Sequence, residues 1–164
     1  GRNRGDMASA AVQTLKDIIP AIGDEDKNVC YESLKNLCEV MDNGGLDPGV
    51  FAMYVDNIVP RLEDVKWQVR CYAVKVLGNL EPGVLAKYAD HIVPRLEDEE
   101  CEVRESAVDV LCNLEPGVLA KYAHHIVSRL EDEDFEVRTY AVQALGKLEP
   151  GVIAKYADDI SRSA

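Results

Sequence analysis

The chain is short of positive charge, and it lacks long apolar runs and paired cysteines. Its 18 lysines and arginines stand against 30 aspartates and glutamates, a formal net charge of -12. That balance disfavours nucleic acid as the main partner, because phosphate binding needs a basic footprint. It favours solubility and a basic partner. No apolar run approaches the length needed to span a bilayer. The opening GRNRGDM resembles no signal peptide and reads as a processed end or a cloning remnant, flexible over residues 1–7. The five cysteines, Cys30, Cys38, Cys71, Cys101 and Cys112, are odd in number and show no paired spacing, unlike a disulfide framework. They suit a reducing intracellular compartment, the cytoplasm or an organelle interior. No serine or cysteine sits in a nucleophile elbow, no glycine-rich phosphate loop occurs, and no carboxylates pair for acid–base work. Neither enzyme activity nor a cofactor is therefore expected.

What the chain has is repetition. The stretch GVLAKYADHIVPRLEDEECEVRESAVDVLCNLEP, Gly83 to Pro116, returns almost intact from Gly117 to Pro150. A looser copy runs from Gly49 to Pro82, and GVIAKYADDI follows from Gly151, so the period is 34 residues. A degenerate copy occupies 8–48 and the partial one 151–164, within a single repeat domain over 8–164. Such a period marks a stack of one supersecondary unit.

The first half of the unit places Val84, Leu85, Tyr88, Ala89, Ile92, Val93 and Leu96 at helical spacing on one face. Pro60 and Pro94 recur inside it, Pro20 matches them in the first copy, and Ser128 replaces them once, so a curved, kinked helix is expected. The second half has a helical stripe of Val103, Ala107, Val110, Leu111 and Leu114 behind an acidic turn that favours a helix N-terminus. In the degenerate copy Asp24 keeps the turn and Val29 the buried valine, while Cys30 stands where later copies have arginine. Tyr156, Ala157 and Ile160 belong to a first half with no second, either a cap or part of a longer array.

The string Asp98-x-x-x-x-Val103-Arg104-x-x-Ala107-Val108-x-x-Leu111 resembles the HEAT repeat, in its phycobilisome-lyase-type HEAT-like flavour. It recurs at Asp64, Val69, Arg70, Ala73, Val74, Leu77 and at Asp132, Val137, Arg138, Ala141, Val142, Leu145. The resemblance implies an all-α superhelix, an α-solenoid of antiparallel helix pairs. It also implies a structural ladder of Asp64, Asp98 and Asp132 with Arg70, Arg104 and Arg138, and second helices lining a concave face. The tetratricopeptide repeat has a similar period, but its aromatic, glycine and alanine pattern is not visible here.

Differences among the copies point to a binding face. The first half barely changes, whereas the second changes at selected positions. Trp67 becomes Cys101 and Phe135; Cys71 becomes Glu105 and Thr139; Tyr72 becomes Ser106 and Tyr140; Lys75 becomes Asp109 and Gln143; Gly78 becomes Cys112 and Gly146. Fixed scaffold positions beside one varied exposed face are what a repeat protein that binds a protein or peptide should show. Trp67, Tyr72, Phe135 and Tyr140 are the expected aromatic anchors. Lys75, Glu105, Asp109 and Gln143 would set specificity, with Cys71 and Thr139 on the same face. The lyase-type flavour supplies an alternative, a subunit of a bilin-chromophore lyase-like complex; a structural subunit of a larger assembly is another. Three further clusters read as surface. His91 and His125 stand one repeat apart with His124 beside the second, and Asn57 and Asp159 in the flanking copies. Stacked first halves lie too far apart for a shared ion without further ligands, so no metal site is expected. The acidic turns lack the glycine and alternating ligands of a calcium loop. The row Lys87, His91, Arg95, repeated as Lys121, His125, Arg129, is expected to pair locally with neighbouring acids.

Overall fold

The computed structural model describes residues 4–163, and among them there is no strand. Residues 1–3 and Ala164 lie outside the description, as do the side chains of residues 4, 6–12, 159, 162 and 163. Helix α1, Arg4–Ile22, begins inside the stretch expected to be a flexible end, and α13 runs to Ser163. The chain falls into two compact units, 1–81 and 82–164.

In the first unit α1 packs on α2, Lys27–Asp42, and α2 packs on α5, Trp67–Leu77. Between the last two lie α3, Pro48–Phe51, and α4, Val55–Ile58. Gly44, at φ 67, turns the chain out of α2 in a conformation that costs a glycine little. Leu15, Ile22, Leu34, Leu37, Phe51, Ile58, Leu62 and Leu77 are closed from solvent and form this core.

The second unit holds α6, Pro82–Leu85; α7, Ala89–Ile92; α8, Cys101–Leu111; α9, Pro116–Leu119; α10, Ala123–Ser128; α11, Phe135–Leu145; α12, Pro150–Ala154; and α13, Ala157–Ser163. Helices α8 and α11 pack together, and Leu85, Ile92, Leu96, Val103, Leu111, Leu119 and Ile126 are all buried in this unit.

The first half of each full copy is not one curved helix but a run of short segments. Two devices break it. Tyr54, Tyr88 and Tyr122 sit near φ -114, -111 and -108 with ψ 5, 0 and 7, the bridge region that α-helix does not use. Downstream, Pro60 and Pro94 open the five-residue 3₁₀ turns Val59–Glu63 and Val93–Glu97. Proline has no N–H to give, and near the start of a 3₁₀ turn none is required. The copy with Ser128 is the internal control. There α10 reaches six residues, against four in α4 and α7, and its 3₁₀ turn shrinks to Arg129–Glu131.

Val29 corrects one expectation. It is 39% exposed, whereas its counterparts Val69 and Val103 are closed. Those two lie on helices that pack against a 3₁₀ turn, and α1 has none, because it continues as α-helix through Pro20 to Ile22.

Candidate partner-binding face

The acidic turns are built alike in all four copies. Asp24, Asp64, Asp98 and Asp132 each accept a bond from the amide two residues on, at 2.8, 3.0, 3.1 and 3.0 Å. The first nitrogen of each arginine, Nη1, closes over carbonyls of its own turn. Arg70 donates to Asp64 and Val65 at 2.8 and 3.3 Å, Arg104 to Asp98 and Glu99 at 2.9 and 3.3 Å, and Arg138 to Asp132 and Glu133 at 2.7 and 3.1 Å. Arg104 reaches further: its Nε and Nη2 grip the Asp132 carboxylate at 2.9 Å each, a bidentate rung between α8 and the turn into α11. Burial alone would raise the Asp132 carboxyl, but bonds from Arg104 and from the Asp134 amide outweigh it and hold the group below its ordinary value. A cleft opens beside this rung, walled by Glu97, Asp98, Arg104, Arg129, Asp132 and Glu133.

The first unit builds its rung from a residue that repeat comparison did not single out. Lys27 donates to Asp64 at 2.9 Å, while the Cys30 thiol donates to the Ile22 carbonyl at 2.9 Å. Two side chains one turn apart on α2 thus divide the work that Arg104 does alone. Spacing holds the missed signal: Lys27 precedes the arginine position by three residues, so it lies on the same face of the helix.

The predicted partner-binding residues separate by burial. Trp67, Tyr72, Glu105, Thr139 and Tyr140 are half-buried; Lys75, Asp109, Gln143 and Phe135 are exposed. Cys71, at 4% exposure, packs inside and presents nothing to a partner. In the first unit Tyr72 meets Tyr31 edge to face, with ring centroids 5.4 Å apart. The ammonium of Lys66 stands 5.5 Å from the Tyr31 ring and that of Lys75 5.0 Å from the Tyr72 ring. This aromatic–lysine patch spans α2 and α5, and Tyr31 occupies the position that is Cys71 in the next copy. In the second unit Thr139 bonds back to the Phe135 carbonyl at 3.0 Å, and Arg138 lies 5.8 Å from the Phe135 ring.

The remaining clusters are local. Arg95 and Arg129 pair with Asp98 and Asp132 at 3.0 and 3.2 Å. The ring centroids of His124 and His125 lie 3.9 Å apart with the planes tilted by 38°; burial, then the neighbouring His124, lowers the pKa of His125. Among the described residues no three His, Cys, Asp or Glu side chains gather as a ligand set. Burial pushes the Cys38 and Cys112 thiols up to about 11, and the bond to Glu102 does the same for Cys101. Those three thiols stay protonated at neutral pH and are poor nucleophiles. No helix among the described residues is long and apolar enough to cross a membrane.

Residues 102–148 match the HEAT-like repeat family. No curated protein matches the chain in sequence. Among solved structures, the designed armadillo repeat protein YIII(Dq)4CqI aligns with a TM-score of 0.74 at 20% identity, over 88% of this chain and 70% of that one. The designed armadillo protein YIII(Dq.V1)4CPAF, solved in complex with the peptide (KR)4, aligns at 0.74 and 17% identity, over 97% and 81%. The complex of CpcE and CpcF of phycocyanin lyase from Nostoc sp. PCC7120 aligns at 0.61 and 14% identity, over 92% and 90%. At these identities the likeness is one of fold. The chain has an all-α helical-repeat fold like that of the designed armadillo proteins, and residues 102–148 carry HEAT-like repeat sequence.

Proposed function

We propose that the chain is a non-enzymatic scaffold that holds a protein or peptide on its second-helix faces. The observation that carries this reading is the Tyr31–Tyr72 pair with Lys66 and Lys75 over its rings. Aromatic side chains present large contact area at little entropic cost, and lysines beside them supply charge recognition. Glu32 and Glu39 are exposed on α2, so a partner's carboxylate would land on the α5 side, at Lys66 and Lys75. The occupant of this unit is then a peptide that lays an apolar side chain on the tyrosines and a carboxylate on the lysines. On the second unit Phe135 and Tyr140 would anchor, with Glu105, Asp109 and Gln143 setting a different preference. A peptide-bound armadillo protein among the fold relatives supports the class of ligand.

A peptide array of mixed charge tests it. The chain should retain a subset of apolar–acidic peptides, and Tyr72→Ala should cost about 2 kcal/mol or more on them, the scale of an interface hot spot. Retention unchanged by Tyr72→Ala would remove the site. A second reading, a subunit of a bilin-lyase-like complex, draws on the fold likeness to the CpcE and CpcF complex. Mixing the chain with free bilin separates the two, since a shifted visible absorbance band favours only the second.

A further inference from the structure

On α2 and α8 one stripe of the second helix is closed by the second helix that follows. Leu34 and Val108 lie on that stripe at 0% exposure, with α5 packed on α2 and α11 on α8. On α11 the same stripe is open. Val142, one period after Val108, is 60% exposed, and Phe135 is 70% exposed. Helix α13 lies against the turn at 129–131.

The polar half of the contact is open as well. Arg104 divides its nitrogens between the carbonyls of its own turn and Asp132, the residue that leads into the covering helix. Arg138 makes the carbonyl bonds, and among the described residues no carboxylate meets its Nε or Nη2. Half of a bidentate rung is thus in place, held beside an exposed apolar stripe.

We propose that Phe135, Arg138 and Val142 form a docking site for an amphipathic helix entered through an acidic turn. The occupant brings an aspartate to the outer edge of Arg138 and aliphatic side chains to Val142 and Phe135. Its chemistry is read from the molecule itself, because α11 entered through Asp132 is what covers the corresponding stripe of α8. The surface continues an interface already present, and charge complementarity fixes the register. The site does not depend on the tyrosine–lysine patch of the first unit; it shares Phe135 with the second-unit peptide reading, and Arg138 and Val142 belong to it alone.

The probe is a peptide of residues 129–148, stapled on its outward side so that its helix is preformed, titrated into the full chain by fluorescence anisotropy. Saturable binding is expected. Arg138→Gln in the chain and Asp132→Asn in the peptide should each weaken it at least tenfold, and the two together should cost no more than either alone. Val142→Asp should abolish it; this exposed position keeps the test valid if Arg138→Gln fails to fold, which thermal melts report. Binding indifferent to all three changes overturns the proposal, as does no binding at millimolar peptide. Self-association of the chain alone, lost in Val142→Asp while the peptide stays unbound, also overturns it by making the occupant a second copy.

Discussion

At the residue scale, Arg104 joins two tasks in one side chain, closing its own turn and gripping the next. It is 6% exposed, so removing it leaves Asp132 buried with its strongest partner gone. Arg104→Ala should therefore destabilise the fold by about 3–5 kcal/mol, measured by urea unfolding. Unchanged unfolding would mean that the rung contributes nothing to stability. Lys27→Met should cost far less, about 0–1 kcal/mol, because the Lys27 side chain is 37% exposed and solvent screens the pair. The aspartates and arginines were legible in the sequence because they obey the period. Lys27 was not, because it fills the slot of Trp67, Cys101 and Phe135, which varies from copy to copy and so carries no periodic signal. The position of Cys71 was legible but its burial was not, since packing between second helices decides it.

At the element scale, both halves of the repeat announced helix, and only the second is a continuous one. The stripe of Val103, Ala107, Val110 and Leu111 sits on an eleven-residue helix, α8, and every one of these side chains is buried. In the first half the apolar spacing is equally regular, but backbone geometry at Tyr88 and Pro94 interrupts it. Spacing reports which side chains face inward and is silent on whether the hydrogen bonds between them run i to i+4 or i to i+3. The prolines sit at 3₁₀ starts, so Ser128→Pro should shift the melting free energy by no more than about 1 kcal/mol, against the roughly 3 kcal/mol of a proline in a helix interior. Ala107→Pro, in the middle of α8, supplies that second case. A Ser128→Pro variant as damaged as Ala107→Pro would show that α10 needs its sixth residue.

At the scale of the whole molecule, charge governs both stability and recognition. The Asp64 and Asp132 carboxyls are each held below the ordinary value of 3.8, bonds from neighbouring amides and cations outweighing the opposing effect of burial. Groups lowered on folding stabilise fully above their unfolded pKa, and that stabilisation drains as pH falls through it toward the folded one. Unfolding free energy should then drop below about pH 4, and Asp132→Asn should flatten the drop. A variant with the same acid branch as the parent would place the sensitivity elsewhere. The net charge of -12 suggested a basic partner, yet the best-formed aromatic patch on the first unit carries lysines. Net charge averages over the acidic turns, which serve the fold, and so hides the local sign of a face. The measurement that reaches the proposed function most directly is the peptide array repeated with Lys66→Glu, Lys75→Glu. The account predicts that the acidic peptides held by the parent are lost and that retained sequences shift toward neutral or basic. The same peptides held with the same strength would contradict it, and would take recognition off the second-helix face of the first unit.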